Sequence, residues 1–157
     1  MIELKKFLLS FKYALEGLWH CILTQRNFRF HTAAALTAWL LSLKYDFSGN
    51  EKIILCFTIA FVLISEMINT AVEAVIDLTC TDYNKSAKIA KDVCAGVVLV
   101  SAFASIITAF VLFYDGGKFW YIMAEYLKNP LFWVYAAVCL FYIFGFNMIF
   151  GGKTSDK

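Results

Sequence analysis

The sequence predicts an all-α integral membrane helical bundle, and three observations carry that prediction. Of its 157 residues, 61% are hydrophobic and the mean hydropathy is +0.69, whereas a soluble domain is closer to half apolar. Four stretches reach or approach the roughly 20 apolar residues that a helix needs to cross a hydrocarbon layer of about 30 Å. Ahead of them lies a segment whose apolar residues recur at helical spacing. Lipid offers no partners to open backbone groups, so each crossing segment must be helical. One proline and no Gly/Ser-rich linker argue against independently folded domains.

The first segment, about residues 3–24, places Leu4, Phe7, Leu8, Phe11, Leu15, Leu18 and Ile22 on one stripe. Lys5, Lys12, Glu16 and His20 fall elsewhere on the wheel, so this helix is expected to lie in the membrane surface. Lysines interrupt its apolar run and no small-residue cleavage site follows, which excludes a signal peptide reading. The spans are expected at about 28–47, 53–76, 93–114 and 131–150. The first begins with Arg29 and His31 inside it; the third and fourth carry no charge; Pro130 suits the first turn of the fourth.

A formal net charge of +2 is too small to imply nucleic acid, but its distribution gives an orientation. Ten of the 14 Lys and Arg residues lie before or at the start of the first span, in the loop at 78–92, or after the fourth. The two remaining loops share four. The positive-inside rule therefore places both termini and the 78–92 loop in the cytoplasm. The five cysteines show no CxxC spacing and read as small buried hydrophobes rather than a disulfide framework or zinc site.

The informative run is in the second span: Glu66-Met-Ile-Asn69-Thr-Ala-Val-Glu73-Ala-Val-Ile-Asp77. At about 100° per residue, all four polar groups fall within an arc of roughly 80°. Counting from Glu51, Glu66 lies about 22 Å and Glu73 about 33 Å along the axis, so the stripe climbs from the inner leaflet to the cytoplasmic surface. An ionised side chain in lipid costs at least about 2.5–3.5 kcal/mol, and such acids usually face a protein interior or a watery site. A carboxylate cluster at this boundary suits chemistry between a soluble polyanion and a lipid head group. One carboxylate can take a hydroxyl proton while others hold Mg²⁺ on phosphates.

Across the loop stand Lys88, Lys91 and Asp92, at the start of the third span. A lysine there can serve as a point-charge phosphate ligand. Lys88 reads also as a positive-inside anchor. His20 and His31 are the other conceivable bases, but His31 reads as an interface anchor at the wrong end of a different helix. Gly151-Gly152-Lys153-Thr154 imitates the end of a phosphate-binding loop, yet position 147 is Asn and a membrane span precedes it, where the motif needs a strand before and a helix after.

Taken together, EMINTAVEAVIDL (66–78), AKIAKDVCAG (87–96) and FRFH (28–31) resemble the prokaryotic diacylglycerol kinase family, which includes undecaprenol kinases. The resemblance covers about residues 4–114. It implies a lipid kinase domain at 1–114, with 115–157 as a C-terminal extension. The Asn-Phe-Arg-x-His and Lys-Asp-x-x-Ala-Gly patterns are more similar to the undecaprenol kinase branch.

The resemblance implies a homotrimer of three-span subunits, each with a surface helix, that uses ATP and Mg²⁺ to phosphorylate a lipid alcohol. By position it implies Glu66 as the base that deprotonates the lipid hydroxyl, with Asn69 one turn away in the same site. Glu73 then binds the metal that bridges ATP phosphates, and Asp77 supports the stripe. Lys91 and Asp92 match the nucleotide-binding Lys-Asp pair. Asp82, Tyr83 and Asn84 match the loop that holds the nucleotide, although the family often carries His at the third position. Lys6 and Tyr13 match basic and aromatic positions of the surface helix near ATP and lipid.

Two departures stand out. Gln25 occupies a position where the family usually has a second metal-binding Glu; an amide oxygen can ligate Mg²⁺ but brings no charge. The fourth span is also additional, and Asn147 is its only strongly polar residue. A small transporter or ion-conducting oligomer, and a non-catalytic scaffold related to a kinase, are the rival readings. A permeation path would want polar groups at every depth, and Ile53–Ile64 offers only Thr58.

Overall fold

The computed structural model describes residues 2–145 of the chain. Asn147, the 146–150 end of the expected fourth span, Lys153, Lys157 and the Gly151–Thr154 run lie outside the described residues. The described chain is an all-α membrane helical bundle: α1 (Ile2–Thr24), α2 (Arg26–Ser42), α3 (Gly49–Thr79), α4 (Lys85–Phe113), α5 (Lys118–Lys128) and α6 (Pro130–Leu140). A π-type turn, Phe141–Gly145, continues α6. A Cβ at Gly145 would come within 2.6 Å of the Phe141 ring, so this turn suits glycine.

Local sequence sets the helix starts. Ser48 and Glu51 form a reciprocal capping box on α3, with the Glu51 carboxylate 2.7 Å from the Ser48 amide. Asn84 caps α4 by accepting from the Ser86 and Ala87 amides. Asn129 caps α6 by accepting from the Leu131 amide, and Pro130 fills its first turn.

Helices α3 and α4 are 31 and 29 residues long, about 45 Å each, and are apolar enough to cross a membrane. They form the most extensive helix pair of the bundle and run antiparallel. The outward faces of both are apolar, for example Phe57, Phe61, Val100 and Phe110. Helix α1 keeps Phe7, Leu8, Phe11 and Leu15 more than half exposed, and touches α2 and α3. That unpartnered apolar stripe is what a helix lying in the lipid interface presents.

Two boundaries differ from the sequence expectation. The stretch expected to span at 28–47 is the 17-residue helix Arg26–Ser42, which is not among the helices long and apolar enough to cross a membrane and stops because Lys44 and Tyr45 turn their amides back onto Leu41 and Ser42. Tyr45 and Phe47 then fold inward, joining Leu55, Phe113 and Ile122 in an aromatic-rich cluster. The Tyr45 and Phe113 rings meet edge to face at 5.2 Å, and the Tyr45 hydroxyl donates to the Phe113 carbonyl at 3.1 Å.

The second difference is α5, an 11-residue helix in a stretch expected to be a connection. Its Phe119, Ile122 and Tyr126 pack on that cluster, while Trp120 and Tyr121 face out. A 90° bend at residue 129 then sends α6 back along α2. Hydroxyl pairs mark its course: Thr37 with Tyr135 at 2.8 Å, and Thr32 with Tyr142 at 3.1 Å. The extension thus returns to the end of the bundle where α2 begins.

Replacing Phe113 by Ala should empty the centre of the aromatic cluster. We expect a loss of about 3 kcal/mol, the low end for a buried aromatic, because lipid competes for the exposed surface. Thermal or denaturant unfolding in detergent measures it; an unchanged midpoint would show that the cluster does not hold α2, α4 and α5 together.

Candidate active site

Because α2 and α3 run antiparallel, the end of α3 lies beside the starts of α2 and α4 and the end of α1. Along α3, three carboxylates and an amide leave the core in order. Glu66 is deeply buried, at 3% exposure; Asn69 and Glu73 are partly buried; Asp77 is exposed.

Each group has a distinct neighbour. The Asn69 side-chain amide donates to Glu73 Oε1 at 3.0 Å, one helical turn on. Its Oδ1 is buried and accepts no hydrogen bond among the described residues. Asp77 meets Lys91 of α4 at 2.5 Å, tying the outer end of the stripe to the next helix. The Thr70 hydroxyl donates to the Glu66 carbonyl at 3.0 Å, and the Cys21 thiol of α1 lies against Thr70. Burial pushes that thiol's pKa up, so it stays protonated at neutral pH.

The residue that sequence reasoning misplaced is His31. Its Nε2 stands 3.4 Å from Glu66 Oε1, with both side chains largely buried. The contact is an ionic-range approach without aligned hydrogen-bond geometry. Its expected place at the wrong end of a different helix is therefore corrected: antiparallel packing brings the start of α2 to the level of Glu66.

Arg29, two residues earlier, is fully buried. Its Nη1 donates to the carbonyls of Ile22 and Leu23 at 2.8 and 3.2 Å, and its Nε to Ile143 at 3.4 Å. One guanidinium thereby joins the last turn of α1, the start of α2 and the C-terminal extension. Gln25 caps α2 between the two helices, with extended backbone and no capping side-chain bond.

Other residues expected in the site stand further out. Lys91 turns toward α3, but Asp92 turns outward to Lys88 of its own helix at 2.6 Å. Asp82 and Tyr83 are exposed in the turn between α3 and α4, and Asn84 spends its carbonyl oxygen on the α4 cap. Lys6 pairs with Glu3 on the exposed surface of α1, and Tyr13 is exposed on the same helix. Among the described residues, no hydrogen bond links Gln25, Lys6 or Tyr13 side chains to the α3 stripe.

Between α2, α3 and α4 runs a cavity of about 230 Å³. Small and aliphatic side chains line it, among them Ala34, Ala38, Ile59, Val62 and Ile106. His31 also lines it, on the side of Glu66. A hydrocarbon-lined space therefore adjoins a buried carboxylate.

The family described as prokaryotic diacylglycerol kinase matches residues 12–113, ending where α4 ends. A diacylglycerol kinase of Synechocystis sp. is 41% identical over 101 residues, covering 64% of this chain and 58% of that protein. An undecaprenol kinase of Bacillus subtilis is 37% identical over 111 residues, covering 71% of this chain and 90% of the relative. A diacylglycerol kinase of Escherichia coli is 28% identical over 103 residues, covering 66% and 84%. The chain belongs to the prokaryotic diacylglycerol kinase family, a family of membrane lipid kinases.

Proposed function

We propose that the protein transfers the γ-phosphoryl group of ATP to the hydroxyl of a membrane lipid alcohol, undecaprenol or diacylglycerol. The observation that carries this reading is Glu66: a buried carboxylate beside a hydrocarbon-lined cavity, at the deep end of a polar stripe that emerges at the bundle end. A lipid chain in the cavity would bring its terminal hydroxyl up to Glu66. Related proteins named for diacylglycerol and undecaprenol support both as substrate classes.

In this reading Glu66 takes the hydroxyl proton as the lipid oxygen attacks the γ-phosphorus and ADP departs. Asn69 holds Glu73 in place through its amide, and its own buried oxygen accepts no hydrogen bond among the described residues. Lys91 spends one donor on Asp77 and keeps two for phosphate oxygens. Asp77 thus sets where the Lys91 charge stands. Asp82, Tyr83 and Asn84 from the α3–α4 turn and Asp92 from α4 surround the nucleotide, and Lys6 and Tyr13 reach it or the lipid from α1.

Mg²⁺ ordinarily takes one or two protein carboxylates and leaves its other positions to water and phosphate. Glu73, oriented by Asn69, fits such a role, with the Gln25 amide as a weaker second ligand. The ion would neutralise phosphate charge that develops during transfer. Residues 1–114 form the kinase unit and 115–157 an extension, whose described part to Gly145 packs on it. Family resemblance supports a homotrimer in the inner membrane, and the charge distribution supports cytoplasmic termini and a cytoplasmic active site.

Glu66→Gln keeps shape but removes the base. Turnover should fall at least about 10²-fold in an assay of label transfer from γ-labelled ATP across a panel of lipid alcohols. Retained activity would remove Glu66 from this role.

Gln25→Glu restores a charged ligand. The Mg²⁺ concentration for half-maximal activity should drop by several-fold, on the order expected for adding one carboxylate to a hard-cation site. An unchanged Mg²⁺ requirement would show that position 25 does not meet the metal.

A further inference from the structure

We propose that His31 acts through Glu66 as its proton outlet, accepting the hydroxyl proton from the buried carboxyl and releasing it to water. The inference rests on the kinase reading, since it explains how the proposed base is reset after each turnover.

A carboxylate that has taken a proton while 3% exposed cannot hand it directly to bulk solvent. Some neighbouring group must accept it, and the candidates are few. From α1, the Cys21 thiol is held protonated by its burial and cannot accept. On α3, the Thr70 hydroxyl already donates to the Glu66 carbonyl, and Asn69 is engaged with Glu73. From α4, the nearby cavity lining is Ser105, Ile106, Thr108 and Ala109, with no ionisable group. On α2, Arg29 is committed to the Ile22, Leu23 and Ile143 carbonyls, and Phe30 meets His31 only ring edge to ring face. The extension presents Tyr142, whose hydroxyl pairs with Thr32.

His31 is the remaining group. Its Nε2 is 3.4 Å from Glu66 Oε1, and its side chain is 17% exposed against 4% for Glu66. That gradient gives the proton somewhere to go. Imidazole is also the side chain that accepts and releases protons near neutral pH. In the step proposed, the Glu66 O–H bond breaks as an Nε2–H bond forms, which restores the carboxylate. The resulting imidazolium then loses its Nδ1 proton to water. One proton enters from the lipid hydroxyl and one leaves, and exchange of the ring proton with water returns the neutral imidazole to its Nδ1–H form, with Nε2 free to accept again.

A role confined to holding Glu66 in place makes a different prediction, because a glutamine amide at position 31 is polar and of similar reach but cannot take up a proton near neutral pH. The test compares His31→Gln and His31→Ala with the wild type, as purified full-length protein in mixed micelles with ATP, Mg²⁺ and a lipid alcohol. Initial rates are taken across pH 5.5–9. Both variants should lose about 10-fold or more in kcat, with KM for the lipid within about two-fold, as expected for losing one proton-transfer group. The fall of kcat toward acid pH in the wild type should flatten in both variants. Added imidazole should restore part of the His31→Ala rate.

Wild-type kcat and pH profile in His31→Gln would overturn the proton role and leave the kinase reading standing. Wild type that phosphorylates no lipid in the same assay would overturn both. Thermal unfolding of each variant checks folding; should His31→Ala fail to fold, His31→Gln alone decides, by its kcat and its pH profile.

Discussion

The architecture depends on placing ionisable groups of α3 within a helix long and apolar enough to lie in lipid. A lone charge at such depth would be expelled, neutralised or moved to the surface. Here the stripe is graded instead. Glu66 is buried against His31, Glu73 is half-buried and held by Asn69, and Asp77 is exposed and tied to Lys91. Each carboxylate therefore meets a neighbour suited to its depth, and the polar edge climbs from the buried Glu66 to the exposed Asp77. In the proposed function, that gradient lets one helix serve a lipid at its deep end and a soluble polyanion at its shallow end.

The same constraint accounts for Arg29. A guanidinium cannot be buried without acceptors, and it finds three backbone carbonyls, two of them in the last turn of α1, where carbonyls lack intrahelical partners. By taking two from α1 and one from the extension, it links the surface helix to the C-terminal segment through α2. The extension is accordingly integrated at both ends of the bundle: Ile122 in the aromatic cluster at one, and Tyr142 and Ile143 beside Thr32 and Arg29 at the other. Orientation of α1, and of Gln25 at its junction with α2, is thus coupled to a segment beyond the reach of the family match at residue 113.

Periodicity made the amphipathic α1 and the polar edge of α3 legible in the sequence, because both depend only on positions within one helix. Helix α5 was legible in principle from Phe119, Ile122 and Tyr126 at spacings of three and four, but its shortness hid it behind Gly116 and Gly117. The meeting of His31 with Glu66 was not legible. Counted from the hairpin between the helices, His31 lies 11 residues before Ser42 and Glu66 lies 17 after Gly49, a mismatch of about 9 Å. The structure takes up that mismatch in the turn after α2, where Tyr45 and Phe47 fold beside Leu55, so the first turns of α3 extend past the end of α2. A side-chain cluster at one end of the bundle therefore sets which groups meet at the other, and helical wheels carry no such information.

Sidedness is where this account is most exposed, because the graded stripe has chemical meaning only if its shallow end meets the compartment that holds ATP. Sealed membrane vesicles of both orientations, given impermeant γ-labelled ATP on the outside and lipid alcohol in the bilayer, measure it directly. Label should appear on lipid in inverted vesicles and stay absent from right-side-out ones. Labelled lipid confined to right-side-out vesicles, or absent from both, would contradict the account.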